Sequence, residues 1–342
     1  MSAYIFSYTN RSSLGKLLIL SGAIALAAGC GGGDSTSPSG GKPDVWNVVS
    51  QRAWTIGAQN EGYVCHAPQV TSDEYITGFR VASPPAAQAE VYLLLRDAPA
   101  NATDFECNFA SLQGSELVYA ASYGADSIKF SEGKGVHVAA GQYLLLVIHM
   151  NNTADTAVSV TTTIEGRVGA AADVTTPVDM VLAGTVNIQI QSDGQTHEST
   201  GGCIPVSSSH VIALLPLMRS FGTHQRVDVI ADAGTQTLVD AVFDPTHVRF
   251  TTLASDASWP GGSQMKVTCS YVNNSGATVN FGDNSGSETC FNAVYRYPAV
   301  AATSTAPFEC VPDIFVSVAM PRPNALSDRT SHAPRGTSAG KS

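Results

Sequence analysis

Apolar residues in this chain gather in short runs and alternations, the clearest being Tyr75–Val81, Glu90–Leu95, Tyr143–Met150, Ala157–Ile164, Val178–Ile190, His210–Leu215, Val227–Ile230, Met265–Val272 and Ala293–Tyr297. Clusters of Gly, Pro, Asn, Asp and Ser separate them, and signals for amphipathic helices are nearly absent. The pattern predicts an all-β protein with the runs as antiparallel strands. About 270 residues lie between 45 and 318, more than one ordinary sandwich uses and comfortable for two. The expected architecture is two tandem antiparallel, jelly-roll-like β-sandwiches, 45–168 and 169–318. The Ala-, Gly- and Thr-rich segment Gly166–Pro177 is the expected seam. Beyond it, 319–342 has no apolar period and predicts a disordered tail.

One apolar run is of a different kind. Arg11 and Lys16 precede Leu17–Ala28, after which come Gly29 and Cys30, the basic, greasy, small order of a secretory signal. The run is too short to span a bilayer. Leu26-Ala27-Ala28-Gly29-Cys30 resembles the bacterial lipobox, which implies a signal peptide over 1–29, lipid on Cys30 and a flexible Gly- and Ser-rich tether over 30–44. Gly31 rather than Asp after the cysteine points to the outer membrane. The expected setting is therefore the bacterial cell envelope, with the membrane a partner through Cys30. A plain secretory peptide with an incidental cysteine is the alternative.

Beyond Cys30 stand Cys65, Cys107, Cys203, Cys269, Cys290 and Cys310, an even set that in an oxidising compartment reads as three disulfides. None of them has zinc spacing. The formal charge is −10, and loss of Arg11 and Lys16 with the signal takes it to −12. So acidic a chain is a poor partner for nucleic acid.

Three segments carry a family resemblance. The first is Glu61-Gly62-Tyr63-Val64-Cys65 with Asp73-Glu74-Tyr75-Ile76-Thr77-Gly78-Phe79. The second runs from His210 to Thr223 through Leu214-Leu215-Pro216-Leu217-Met218-Arg219. The third joins Cys269-Ser270-Tyr271-Val272-Asn273, Val279-Asn280-Phe281-Gly282, Ser287-Glu288-Thr289-Cys290-Phe291 and Tyr295-Arg296-Tyr297-Pro298. Together they resemble the copper type II, ascorbate-dependent monooxygenases, the family of peptidylglycine hydroxylase and dopamine β-hydroxylase, and especially its bacterial members. The resemblance implies sandwiches of the peptidylglycine hydroxylase type, each holding one copper, facing each other across a solvent-filled cleft. It also implies the pairs Cys65–Cys107, Cys269–Cys290 and Cys203–Cys310.

Copper cycling between two oxidation states needs imidazole and thioether donors, and the expected positions mostly lack them. The resemblance places two first-domain histidines at Glu90 and Val91, and a third at His149 in Leu145-Leu146-Val147-Ile148-His149-Met150-Asn151. It places two second-domain histidines at Leu217 and Arg219 and a methionine at Thr289. A guanidinium cannot bind copper. Of six ligands only His149 is kept. His66, His137, His197 and His210 read as structural or solvent-facing; His224 and His247 stay ambiguous, and a rebuilt site using His149, His210, His224 or Met218 is the alternative. No Gly-x-Ser-x-Gly elbow or Gly-rich phosphate loop occurs.

The expected function is that of a non-catalytic binding or structural module with no cofactor, its partner a protein or small molecule that the sequence does not name. The enzymatic alternative is a copper-dependent, ascorbate-using monooxygenase acting on an exported substrate. A third reading is a single-site copper protein built on His149.

Overall fold

The computed structural model describes residues 44–300 and Cys310, apart from 83, 85, 101, 109, 110, 112, 113 and 124–126. The expected signal peptide over 1–29, Cys30, the expected tether up to residue 43 and the expected tail 319–342 lie outside the described residues. No α-helix occurs among the described residues, and the chain is all-β, as its alternations predict.

The first half contains β1 (Asn47–Ile56), β2 (Asn60–His66), β3 (Glu74–Ala82), β4 (Gln88–Arg96), β5 (Asp104–Cys107), β6 (Glu116–Ser122), β7 (Ile128–Lys129), β8 (Gly133–Val138), β9 (Tyr143–Asn152), β10 (Val158–Gly169) and β11 (Val174–Pro177). One sheet has the order β1-β10-β3-β8-β11 with β7 also on β3; the other has the order β5-β2-β9-β4-β6. β1 and β3 alternate between core and solvent, as strands with one wet face do. β4 and β9 do not: nearly every residue of Gln88–Arg96 and Tyr143–Asn152 is buried. Their unbroken apolar sequences mark strands covered on both faces. One face meets the first-half core and the other meets the second half.

The second half contains β12 (Asp179–Thr185), β13 (Gln189–Ile190), β14 (Thr196–Cys203), β15 (Ser209–Leu217), β16 (Gly222–Ala231), β17 (Gly234–Val242), β18 (Thr251–Trp259), β19 (Gln264–Val272), β20 (Val279–Asn280) and β21 (Cys290–Tyr297). Eight strands follow one another in the order β17-β16-β19-β14-β12-β21-β15-β18, yet β14 pairs with β12 at one position, Gly202 opposite Gly184. Physically these are two four-stranded layers turned on a glycine corner. β19 of one layer lies against β12 and β21 of the other. The Cys269–Cys290 disulfide ties the two layers together, Cys65–Cys107 joins β2 to β5, and Cys203–Cys310 fastens the end of β14.

The segment Gly166–Pro177, expected as the seam, is itself paired. β11 pairs in parallel with β8, and the Val178 amide still bonds the Gly135 carbonyl. The expected boundary after residue 168 therefore falls within the hydrogen-bonded first half, and the chain leaves that half between Val178 and Asp179. The reason is local: β8 offers an unpaired edge, and the short extended run Val174–Pro177 is the nearest segment able to satisfy it.

No solvent-filled cleft separates the halves where their aromatic residues meet. Phe130 packs edge-on against Tyr295 at 4.9 Å, Tyr119 lies 6.2 Å from Phe250, and the Tyr295 hydroxyl donates to the Val118 carbonyl at 2.6 Å. The buried apolar residues of both halves form one continuous core.

The glycine corner is intolerant of a side chain. A Cβ on Gly202 would collide with the Met265 carbonyl oxygen, and one on Gly184 with that of Cys290. Gly202→Ala should therefore lose at least ~2 kcal/mol of stability by overpacking, measured as a lowered midpoint in chemical denaturation. Ala at Gly62, which has nothing within 4 Å, should change it by less than ~1 kcal/mol.

Candidate functional site

The positions that the resemblance marks as ligands do not gather in two groups. Strand alternation separates the first two: Val91 points into the core and is fully buried, whereas Glu90 faces the second half. Glu90 pairs across the ladder with His149, and His149 in turn with Tyr63 of β2. Glu90, His149 and Tyr63 thus share one face, and Arg219 reaches it from the turn between β15 and β16.

Arg219 binds Glu90 in the bidentate manner that suits a guanidinium. Its Nε donates to Glu90 Oε1 at 3.0 Å and its Nη2 to Oε2 at 2.9 Å. Nη1 donates to the Asn284 carbonyl at 2.5 Å and to Ser287 Oγ at 3.3 Å. Both partners of the pair are buried, Glu90 5% exposed and Arg219 8%. Burial alone would raise the Glu90 carboxyl, but the Arg219 charge and then His149 outweigh it and hold it well below the usual carboxylate range.

A second carboxylate fixes the turn that carries the arginine. Glu288, fully buried, accepts the amides of Arg219 at 2.9 Å, Phe221 at 2.7 Å and Thr289 at 3.1 Å. Its burial pushes its carboxyl up to about 7 against the pull of those amides and of Arg219. Leu217 and Thr289 do not face Glu90; the Thr289 hydroxyl caps the Leu217 carbonyl at 3.1 Å, so they serve the same turn.

His149 is enclosed, with 1% of its surface exposed. Nε2 lies 2.8 Å from Glu61 Oε1, the Tyr63 ring stacks on the imidazole at 4.3 Å and 5°, and Nδ1 lies 3.3 Å from Glu90 Oε2, within ion-pair range but off hydrogen-bonding alignment. Glu61 also accepts the Ser285 amide and hydroxyl at 2.6 and 2.9 Å, and the Tyr63 hydroxyl donates to the Asp283 carbonyl at 2.6 Å. Each of these bonds crosses from β2 to the segment before β21.

These residues do not fit copper. Arg219 and its donors fill the space beside Glu90, and both imidazole nitrogens face carboxylates. Nor does another soft ligand reach His149. Met218 packs beside Gly222 and Phe243, His210 stacks on Tyr297, and His224 meets Asp240 at 3.1 Å. His247 bonds Asp244. Among the described residues, no group of three or more His, Cys, Asp and Glu side chains is arranged to hold a metal ion. What the cluster can do chemically is neutralise charge and fix geometry.

No model of a known protein family matches the chain, and neither does any curated protein. Among solved structures it is similar to the major capsid protein P2 of bacteriophage PM2, with 10% identity over 74% of this chain and 99% of that one and a TM-score of 0.33. Allantoicase matches at 12% identity over 69% and 77%, with a TM-score of 0.20. An infectious bursal disease virus structure, Gx strain, matches at 9% over 78% and 76%, with a TM-score of 0.18. Likeness this slight carries no argument about function.

Of the cluster, the sequence singled out Glu90, His149 and Arg219 as positions; Glu61, Tyr63, Asn284, Ser287 and Glu288 were not assigned roles. One signal was present. An arginine inside Leu214-Leu215-Pro216-Leu217-Met218-Arg219-Ser220-Phe221 is destined for burial and must find an acid.

Removing one partner of the buried pair strands the other. Arg219→Ala or Glu90→Gln should each cost about 3–5 kcal/mol, while the paired apolar change Glu90→Leu with Arg219→Met should cost far less than their sum; a double-mutant cycle by denaturation reads both. The pH dependence has two limbs. The depressed Glu90 contributes stability that is complete above the ordinary glutamate value of about 4.3 and is lost as pH falls below it. The raised Glu288 contributes stability that is complete below about 4.3 and is lost as pH rises through about 7. Melting curves across pH should lose the acid limb in Glu90→Gln and the limb toward neutrality in Glu288→Gln.

Proposed function

We propose that this chain is a non-catalytic relative of the copper type II, ascorbate-dependent monooxygenases, held in the bacterial envelope by lipid on Cys30 and serving as a binding or structural module. One observation carries the reading. Glu90 and Arg219, at positions expected to hold histidines of two different copper sites, are bonded to each other. A single salt bridge thus stands where two redox centres would be, and it ties together elements that an electron-transferring cleft would keep apart.

Ser285 and Asp283 bonded to Glu61 and Tyr63 support the same view, because they close the edge of the contact around the pair. A fold of this kind persists without its chemistry when its surfaces still serve.

The purified protein, equilibrated with copper and then dialysed, should retain much less than one copper per chain by elemental analysis. It should show no ascorbate-dependent oxygen uptake. Two cupric centres in the electron paramagnetic resonance spectrum, with turnover, would sink the proposal. A single tight copper lost on His149→Ala would replace it with a one-site copper protein.

A further inference from the structure

The first described residues cross the outer face of the β1-β10-β3 sheet and assemble a patch there that the site above does not use. Asp44 meets Lys129 Nζ at 2.5 Å and Arg167 Nε at 2.9 Å. The Trp46 ring lies under the Arg80 guanidinium, 4.6 Å from its centroid, and 5.7 Å from Lys129 Nζ. Arg80 bonds Glu165 directly across the ladder. Arg80, Lys129 and Arg167 keep 41%, 48% and 26% of their side chains exposed. Val45 and Val48, either side of the half-buried Trp46, are 56% and 55% exposed.

From these features we infer that the face around Trp46 rests on a phospholipid surface that bears anionic headgroups. An indole with one wet edge, apolar neighbours and flanking cations is the side-chain set that settles at a bilayer interface. The attraction is local. The chain as a whole is acidic, but charges beyond about 8 Å are largely screened at physiological salt, and within the patch three cations face two anions.

Chain length agrees. Thirteen residues, Gly31–Pro43, separate Cys30 from Asp44, and Gly and Ser make up most of them. Fully extended, thirteen residues reach ~45 Å, so a lipid on Cys30 would hold Asp44 within that distance of the membrane surface.

The inference rests on the lipid attachment proposed above, and the test separates the two. The lipidated full-length protein is reconstituted into vesicles of phosphatidylethanolamine with phosphatidylglycerol, and into phosphatidylcholine vesicles, each containing a brominated lipid. Flotation reports anchoring, and tryptophan quenching reports contact. Trp54 and Trp259 are 5% and 0% exposed, so Trp46 is the indole within the quencher's reach.

Quenching is expected in the anionic vesicles, weaker in phosphatidylcholine and in added salt, and absent in Trp46→Phe. Arg80→Gln with Lys129→Gln should lower the contact equilibrium about fivefold for each cation lost, at an unchanged melting temperature. Protein that floats but is not quenched, or is quenched equally in Trp46→Phe or in both lipids, overturns the inference and leaves the anchor standing. Protein that does not float overturns both. If the charge variant melts early, loss of quenching by salt in the unaltered protein decides the matter.

Discussion

Burying a charge costs several kcal/mol unless a partner meets it with good geometry, and that constraint organises the junction between the two halves. Arg219 is surrounded by apolar chain on both sides, so it must find an acid within reach. Glu90 is the acid, and it sits on a strand whose other face belongs to the core of the opposite half. Once Arg219 and Glu90 meet, the turn after β15, the strand β4 and the segment holding Asn284 and Ser287 are fixed together. Glu288 then anchors the same turn from beneath through three amides.

The pair is not the main source of binding energy between the halves. That role falls to the rings of Phe130, Tyr119, Phe250 and Tyr295, whose burial is worth roughly 1.5–3 kcal/mol each. Hydrophobic contact is tolerant of angle and offset, whereas a bidentate guanidinium–carboxylate bond is not. The aromatic cluster holds the halves together, and the ion pair with its satellites Glu61, Tyr63 and His149 selects one arrangement among those the rings would accept.

How much of this was legible in the sequence can be judged residue by residue. The runs at Glu90–Leu95 and Tyr143–Met150 were readable as strands; that they are covered on both faces came from the structure. The even number of cysteines beyond Cys30 pointed to three bridges, and the pairs formed are those the resemblance implies. That Glu90 and Arg219 carry side chains unlike the histidines the resemblance expects was visible too. That these two would meet was not, because 129 residues separate them and nothing local encodes their encounter. That the expected seam Gly166–Pro177 holds a short strand paired with β8 was not legible either, since an edge's need for a partner is a property of the assembled sheet.

Residue chemistry therefore came from the sequence alone: the all-β class from a period of two, the expectation of three disulfides from cysteine number, and the absence of imidazole or thioether at Glu90, Val91, Leu217, Arg219 and Thr289 from the side chains themselves. Tertiary structure alone decided which of those side chains share a face, that Glu90 neutralises Arg219, and that Gly184 and Gly202 turn one run of strands into two layers. The physical reason is range. Propensity and periodicity act over a few residues, whereas charge pairing and close backbone approach depend on where the folded chain brings distant residues together.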